Sequence, residues 1–351
     1  MPRQIDSYVL EKKIGAGQFG EVYKGWDKKT GKDVAVKMIS RELIKGKFRT
    51  LFENEIKVLR ACNNINIVKL YDIKKTEHNI YLMLEYCNEG DLKDYLSAKG
   101  SLSEDEAVDF LIQILHAFKT LVKHNIMHRD FKLANVLKHN GILKVADFGF
   151  CKFLGEGGMA STYLGSPLNM APEVLLGKNY DSKADIWSIG SVFYELLFGE
   201  PVFKVTEYKD LMKQVIEGFE LQIPEKGGVK ISKVTEDVLK RMLVCDPEKR
   251  ITWKELLGHK ITTYREEKIM KELNTSINQS TTQNLKENMS KFYVNNNKVV
   301  QHVQDFNKKS QINQFALGVV KGNNKDLKFT GPVIQHTEEQ STKGNIVIII
   351  K

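Results

Sequence analysis

The chain has 351 residues, 42% of them hydrophobic, which is enough for a large enzyme domain and an extension. Its net charge of +9 is spread along the chain without an arginine-rich run, so no nucleic-acid partner is expected. Cys62, Cys87, Cys151 and Cys245 form no C-x-x-C pair, and neither a secretory core nor an apolar run of membrane-spanning length is seen, which argues for free thiols in a cytoplasmic protein without a transmembrane segment.

The first 84 or so residues read as β-strands with one strong helix. "YVLEKKIGAGQFGEVYKGWD" and "KDVAVKMIS" alternate apolar positions, with a turn at Thr30 and Gly31 between them. Inside the first lies a G-x-G-x-x-G-x-V loop, running through Ile14, Gly15, Ala16, Gly17, Gln18, Phe19, Gly20, Glu21 and Val22. Glycines there let the backbone approach phosphate oxygens and offer amide donors. A dinucleotide-binding fold uses the same spacing, and some glycine-rich hairpins bind nothing. Here strand-like "EVYKGWD" follows instead of a helix, which favours a hairpin lid.

Lys37 sits in "VAVKMI", a strongly apolar strand. It either snorkels to solvent or acts as a cation for phosphates. In the following helix Leu51, Phe52, Glu55, Ile56 and Leu59 share one face, so Glu55 is a carboxylate in an apolar stripe. Such a group is costly unless paired, and pairing Lys37 with Glu55 explains both charges.

From about residue 90 to 265 the chain is expected to be mostly helical. "DEAVDFLIQILHAFKTLVKH" is amphipathic, and "ADIWSIGSVFYELLFG" is apolar nearly all round and so reads as a buried helix. Between them "MHRDFKLAN" places Asp130, Lys132 and Asn135 among apolar neighbours. "VADFGF" adds Asp147 after an apolar strand. A carboxylate at 147 and an amide oxygen at 135 suit magnesium, a hard cation that keeps waters and substrate phosphates. Asp130 can accept a hydroxyl proton, and Lys132 can neutralise a phosphoryl group in flight. Any one of these could be a surface polar residue in a loop; their joint occurrence with Lys37 and Glu55 favours one reaction centre. "ITWKELLGH" begins with Thr252 and Glu255 at capping-box spacing, and Ile251 can staple that start. After about residue 266 the composition turns to Asn, Gln, Ser and Thr, so 266–351 is expected to be a disordered or weakly folded tail.

These elements, in this order from Tyr8 to His259, resemble the eukaryotic protein kinase family, with "APE" at 171–173, "DIWSIG" at 185–190 and Arg250 completing the pattern. The resemblance implies an α+β fold of two lobes within residues 1–265. A small antiparallel β N-lobe with one helix (about 1–86) would precede a larger, mainly helical C-lobe (about 87–265). It implies ATP and Mg²⁺ as cofactors and protein substrates. Val22, Ala35 and Leu137 would sandwich adenine, Leu84 would be the gatekeeper, and the backbone of Glu85 and Cys87 would bond the adenine edge. Leu59, Leu70, His128 and Phe148 would stack as a spine anchored by Asp185, and Glu173 would pair with Arg250. Lys132 matches serine/threonine kinases, with Ser166 near it and Asp130. Phe150 resembles kinases that prefer serine acceptors.

"LEYCNEGDLKDYL", "DFGFCKFL" and "GSPLNMAPEVL" look like the autophagy-initiating kinases of the ULK family. That likeness places an activating phosphosite at Thr162, written by an upstream kinase or in trans by a second copy, with Arg129 clamping the phosphate. Phe131, Leu133 and Asn169 depart from the usual Leu, Pro and Tyr; Asn169 lies in the peptide-facing loop, so its replacement bears on substrate preference. A pseudokinase scaffold is the alternative, but none of the lysine, the base or the metal ligands is missing here. A small-molecule kinase fits the "APE" segment less well than a protein kinase does.

Overall fold

The structure, a computed structural model, describes residues 3–17, 20–154, 166–224 and 230–263. The expected tail at 266–351, the phosphosite Thr162 and the loop residues Gln18 and Phe19 lie outside the described residues.

The amino-terminal part is a six-stranded antiparallel sheet with one helix. Its strands are β1 (Arg3–Ile5), β2 (Tyr8–Gly17), β3 (Gly20–Asp27), β4 (Asp33–Ser40), β5 (Leu70–Lys75) and β6 (Asn79–Glu85), in the order β1-β2-β3-β4-β6-β5. Helix α1 (Gly46–Ala61) runs between β4 and β5 in the chain. Strand alternation sorts the side chains. Val34 and Val36 of β4 face outward into a small cluster with Tyr8, Leu10, Tyr81 and Met83. Ile39 faces inward with Phe52 of α1, Ile80 and Leu82. The same inward parity carries Ala35 and Lys37.

The rest is mainly helical: α2 (Leu92–Lys99), α3 (Glu104–Lys123), the short strands β7 (Ile126–Met127), β8 (Val136–His139), β9 (Ile142–Val145) and β10 (Lys152–Phe153), then α4 (Pro172–Leu175), α5 (Lys183–Phe198), α6 (Tyr208–Glu217), α7 (Lys233–Met242) and α8 (Trp253–Leu257). The expected two-part α+β architecture is the one observed. Helix α5 is the hub, with side chains from Ala184 to Leu197 buried almost without interruption. It stops at Gly199, whose left-handed φ of 72° suits glycine, and a Cβ there would stand 2.1 Å from the Gly100 carbonyl oxygen. The capping box expected at Thr252 and Glu255 starts α8.

A polar seam joins the segment before β5 to α3 and β9. Asn64 donates to the His116 carbonyl and the Thr120 hydroxyl of α3. The Asn66 amide donates to the Leu143 carbonyl of β9 and to Gln113 of α3, and Gln113 accepts from the Leu143 amide as well. Val145 N–H donates to the Asn66 carbonyl, and Val68 N–H donates to the Val145 carbonyl. Asn66 and Gln113 are buried, so each satisfied amide here replaces a water lost on folding.

Lower in the molecule Glu173 and Arg250 form a buried bidentate pair at 2.7 and 2.8 Å. Arg250 also donates to the carbonyls of Val244, Lys183 and Cys245 and lies over the Trp187 ring. Arg250→Met leaves Glu173 as an uncompensated buried charge and is expected to cost about 3–5 kcal/mol, read from guanidinium unfolding midpoints. The Arg250→Met/Glu173→Leu pair should lose less than Arg250→Met alone.

All four cysteines are free thiols. Burial pushes Cys62 up to about 11 and Cys87 up to about 12, and also raises Cys151 and Cys245. At about pH 8 the thiolate fraction of Cys62 and Cys87 is then roughly one in a thousand or less. Iodoacetamide should therefore alkylate the folded chain about tenfold or more slower than the guanidinium-unfolded chain, as followed by mass spectrometry.

Candidate active site

The ladder between β2 and β3 carries pairing to Gly17↔Gly20. The glycine-rich segment is thus mostly strand, more regular than the loop the sequence predicts. Gly20 is required by proximity: a Cβ there would lie 1.8 Å from the Met38 carbonyl oxygen of β4. Register then sets the roof of a cleft. Gly15 faces Val22, Val22 faces Lys37, and Ala35 faces Leu84 across adjacent strands. Val22, Ala35, Leu84 and Leu137 are half-buried and Ile14 is 42% exposed, so these apolar groups are incompletely covered. Glu21 stands opposite Met38 in the β3–β4 ladder. Its carboxylate is bonded to Lys13 and Tyr23, and strand parity puts it on the face opposite Val22. Only its backbone is available to the cleft.

Lys37 and Glu55 meet at 2.6 Å, both buried, so the lysine does not snorkel. Burial by itself would lower the Lys37 ammonium, but the charges of Glu55 and Asp147 and the hydrogen bond to Glu55 outweigh it and the net shift is upward. Glu55 reaches the cleft because α1 presents it between Phe52 and Leu59. Its second oxygen, Oε2, is buried without a hydrogen-bond partner among the described residues. Asp147 stands 3.9 Å from Lys37 with its side chain 44% exposed, at the positive φ of 59°.

Across from these, Asp130 is buried and organises the catalytic-loop candidates. Its Oδ2 accepts from Lys132 Nζ at 2.9 Å, and its Oδ1 accepts from the Ser166 hydroxyl at 2.9 Å. Lys132 also donates to Ser166 at 2.9 Å, closing a triangle. Asn135 spends its amide nitrogen on the Asp130 carbonyl at 2.7 Å, leaving its amide oxygen as a donor atom for a cation. Asn135 and Asp147 thus offer oxygen alone. Among the described residues no group of three or more His, Cys, Asp or Glu could hold a metal. Two oxygen ligands suit magnesium, which fills its remaining positions with waters and phosphate oxygens, and do not suit zinc.

The other predicted positions are also placed. The His128 and Phe148 rings lie 5.4 Å apart and both are buried; Phe148 belongs to the main core with Leu59, and Leu70 packs against it. Asp185 accepts the backbone N–H groups of His128 at 2.8 Å and Arg129 at 3.0 Å. Burial raises its carboxyl above the usual range, partly offset by His128 and those two bonds. Arg129 Nε donates to the Phe150 carbonyl at 2.6 Å, and its guanidinium also bonds Tyr180. Glu85 donates its N–H to the Lys69 carbonyl at 2.8 Å and stands opposite Val34 at the end of β6. Asn169, expected in the peptide-facing loop, turns its side chain inward to Ser191 of α5, and its carbonyl accepts from Ser188.

Sequence reasoning missed Lys144. Its ammonium lies 2.7 Å from Glu85, with side-chain exposures of 7% and 14%. The signal was the one used for Lys37: a lysine flanked by apolar residues, here Leu143 and Val145.

The protein kinase domain family matches residues 8–262. Among curated proteins, the serine/threonine-protein kinase atg1 of Dictyostelium discoideum is 37% identical over 268 residues, covering 74% of this chain and 39% of that protein. The serine/threonine-protein kinase unc-51 of Caenorhabditis elegans is 36% identical over 279 residues, covering 74% and 32%. The human serine/threonine-protein kinase ULK1 is 43% identical over 209 residues, covering 56% and 20%. The chain thus spans about two fifths or less of the length of these relatives. With the sheet, the paired charges and the Asp130 triangle in the order of that family, the chain belongs to the protein kinases and is similar to the serine/threonine kinases named atg1, unc-51 and ULK1.

Proposed function

We propose that this chain transfers the terminal phosphoryl group of ATP to serine or threonine hydroxyls of protein substrates. The observation that carries it is the Asp130 triangle, in which a buried carboxylate already accepts a hydroxyl hydrogen bond at 2.9 Å with an ammonium bonded to both partners. An acceptor hydroxyl taking the place of the Ser166 hydroxyl at Oδ1 would be oriented for attack. As its oxygen bonds to phosphorus, its proton passes to Asp130 and the bond to the ADP oxygen breaks. Lys132 would offset charge on the phosphoryl oxygens in flight. Lys37, held by Glu55, would bind the other phosphates, and Val22, Ala35 and Leu137 would enclose adenine. Asn135 and Asp147 would hold magnesium, which supplies positive charge to the phosphate oxygens.

The likeness to ULK kinases carries the finer proposal of a cytoplasmic role in autophagy initiation. It also carries activation by phosphorylation of Thr162, by an upstream kinase or a second copy, with Arg129 as the phosphate's partner. Residues 266–351 are proposed as a polar extension to a kinase domain ending near 265.

Asp130→Asn should lower phosphate incorporation into protein by about 10²–10⁴-fold with an unchanged melting profile; retained incorporation would reject the assigned base. Lys37→Met should abolish detectable transfer and also lower the unfolding midpoint, because Glu55 then stays buried without its cation. Thr162→Ala should reduce activity severalfold in assays of chain pre-incubated with Mg·ATP, and full activity in that variant would remove Thr162 as the switch.

A further inference from the structure

We propose that Lys144 is a positioning residue for the nucleotide, an inference that rests on reading the cleft as the ATP site. Three parts of that site adjoin Lys144, by strand pairing, by sequence and by its ion pair. Strand β9 sets Lys144 opposite Leu137, the expected adenine floor. Three residues further along the same segment comes Asp147, the expected magnesium ligand. The ammonium of Lys144 reaches Glu85 at 2.7 Å, at the end of β6 where the adenine edge would be bound. Glu85 Oε2 accepts from the Lys69 amide at 3.2 Å, and Glu85 N–H donates to the Lys69 carbonyl at 2.8 Å. The end of β6, where the chain crosses from one lobe to the other, is therefore tied to β9 by a nearly dry ion pair.

The backbone on either side of Lys144 is equally constrained. Leu143 is bonded to Asn66 and Gln113, and Val145 to Asn66 and Val68. Strand β9 is thus a fixed reference, and Lys144 transmits its position to Glu85. The distance between the adenine edge and the phosphate-holding end is set before nucleotide arrives. Preorganisation of this kind acts on binding more than on the chemical step.

The test uses the full chain and four forms: wild type, Lys144→Met, Lys144→Arg, and the volume-conserving Lys144→Met/Glu85→Leu double variant. Transfer is measured with ATP varied, and Mg·ATP affinity by calorimetry. Lys144→Met should raise KM for ATP and weaken Mg·ATP binding by about tenfold, with kcat within about twofold. Lys144→Arg should recover most of the affinity, since it can keep the pair. The double variant, free of any unpaired buried charge, should fold like wild type yet keep the raised KM. Unchanged KM and affinity in Lys144→Met would overturn the proposal, as would a rise in kcat at constant KM, which would make the pair a restraint on the lobes. A double variant with wild-type KM would also overturn it, because the pair would then only be avoiding a bare charge. A wild-type chain that binds no Mg·ATP would defeat the ATP reading itself, whereas binding that ignores residue 144 defeats the positioning role alone.

Discussion

The arrangement of the catalytic loop depends on one carboxylate in the middle of the carboxy-terminal lobe. Asp185 sits in the first turn of α5, is 2% exposed, and receives the N–H groups of two consecutive residues, His128 and Arg129. Arg129 adopts a left-handed φ of 68°, a conformation that costs a non-glycine residue about 1–2 kcal/mol. The two hydrogen bonds and the helix start hold it there, and the turn they enforce delivers Asp130 to the cleft. Asp185 is itself held at a cost. Its folded-state pKa is raised by burial, so its contribution to stability is greatest below the ordinary carboxylate range and is lost as pH rises through the raised value. Apolar burial around α5 offsets that loss.

Charge inside this molecule follows a consistent rule. Lys37, Lys144 and Arg250 are each buried, and each has a carboxylate at 2.6–2.7 Å: Glu55, Glu85 and Glu173. Each pair joins segments far apart in the chain, strand to helix, strand to strand, and loop to helix. Buried pairs add little net stability compared with apolar residues of the same shape, yet losing one partner is severe. Their effect is to select one relative placement of the segments, which suits a site assembled from both lobes.

Much of this was legible from residue types alone. Glu55 in an apolar helical stripe and Lys37 in an apolar strand each demanded a partner, and the only economical solution was each other. The capping box at Thr252 and the unbroken apolar run of α5 were local signals and needed no tertiary knowledge. What escaped notice depends on long-range packing. The outward turn of Glu21 follows from strand parity, which holds only because the glycine-rich segment continues as a paired strand. The inward turn of Asn169 requires Ser191, twenty-two positions later, to offer a hydroxyl. Asn66 and Gln113 look like ordinary surface amides, and only the meeting of α3 with β9 makes them interior groups.

The seam built by those amides bears on how such a protein could be recombined. Residues 64–69 are bonded to α3 and β9 although they precede two strands of the amino-terminal sheet. A chimera that swapped everything before the Glu85–Cys87 crossing for the matching piece of a relative would import a foreign linker into a native socket. Grafts that carry their own α3 and β9 with that linker, or that leave all three untouched, would preserve the fit.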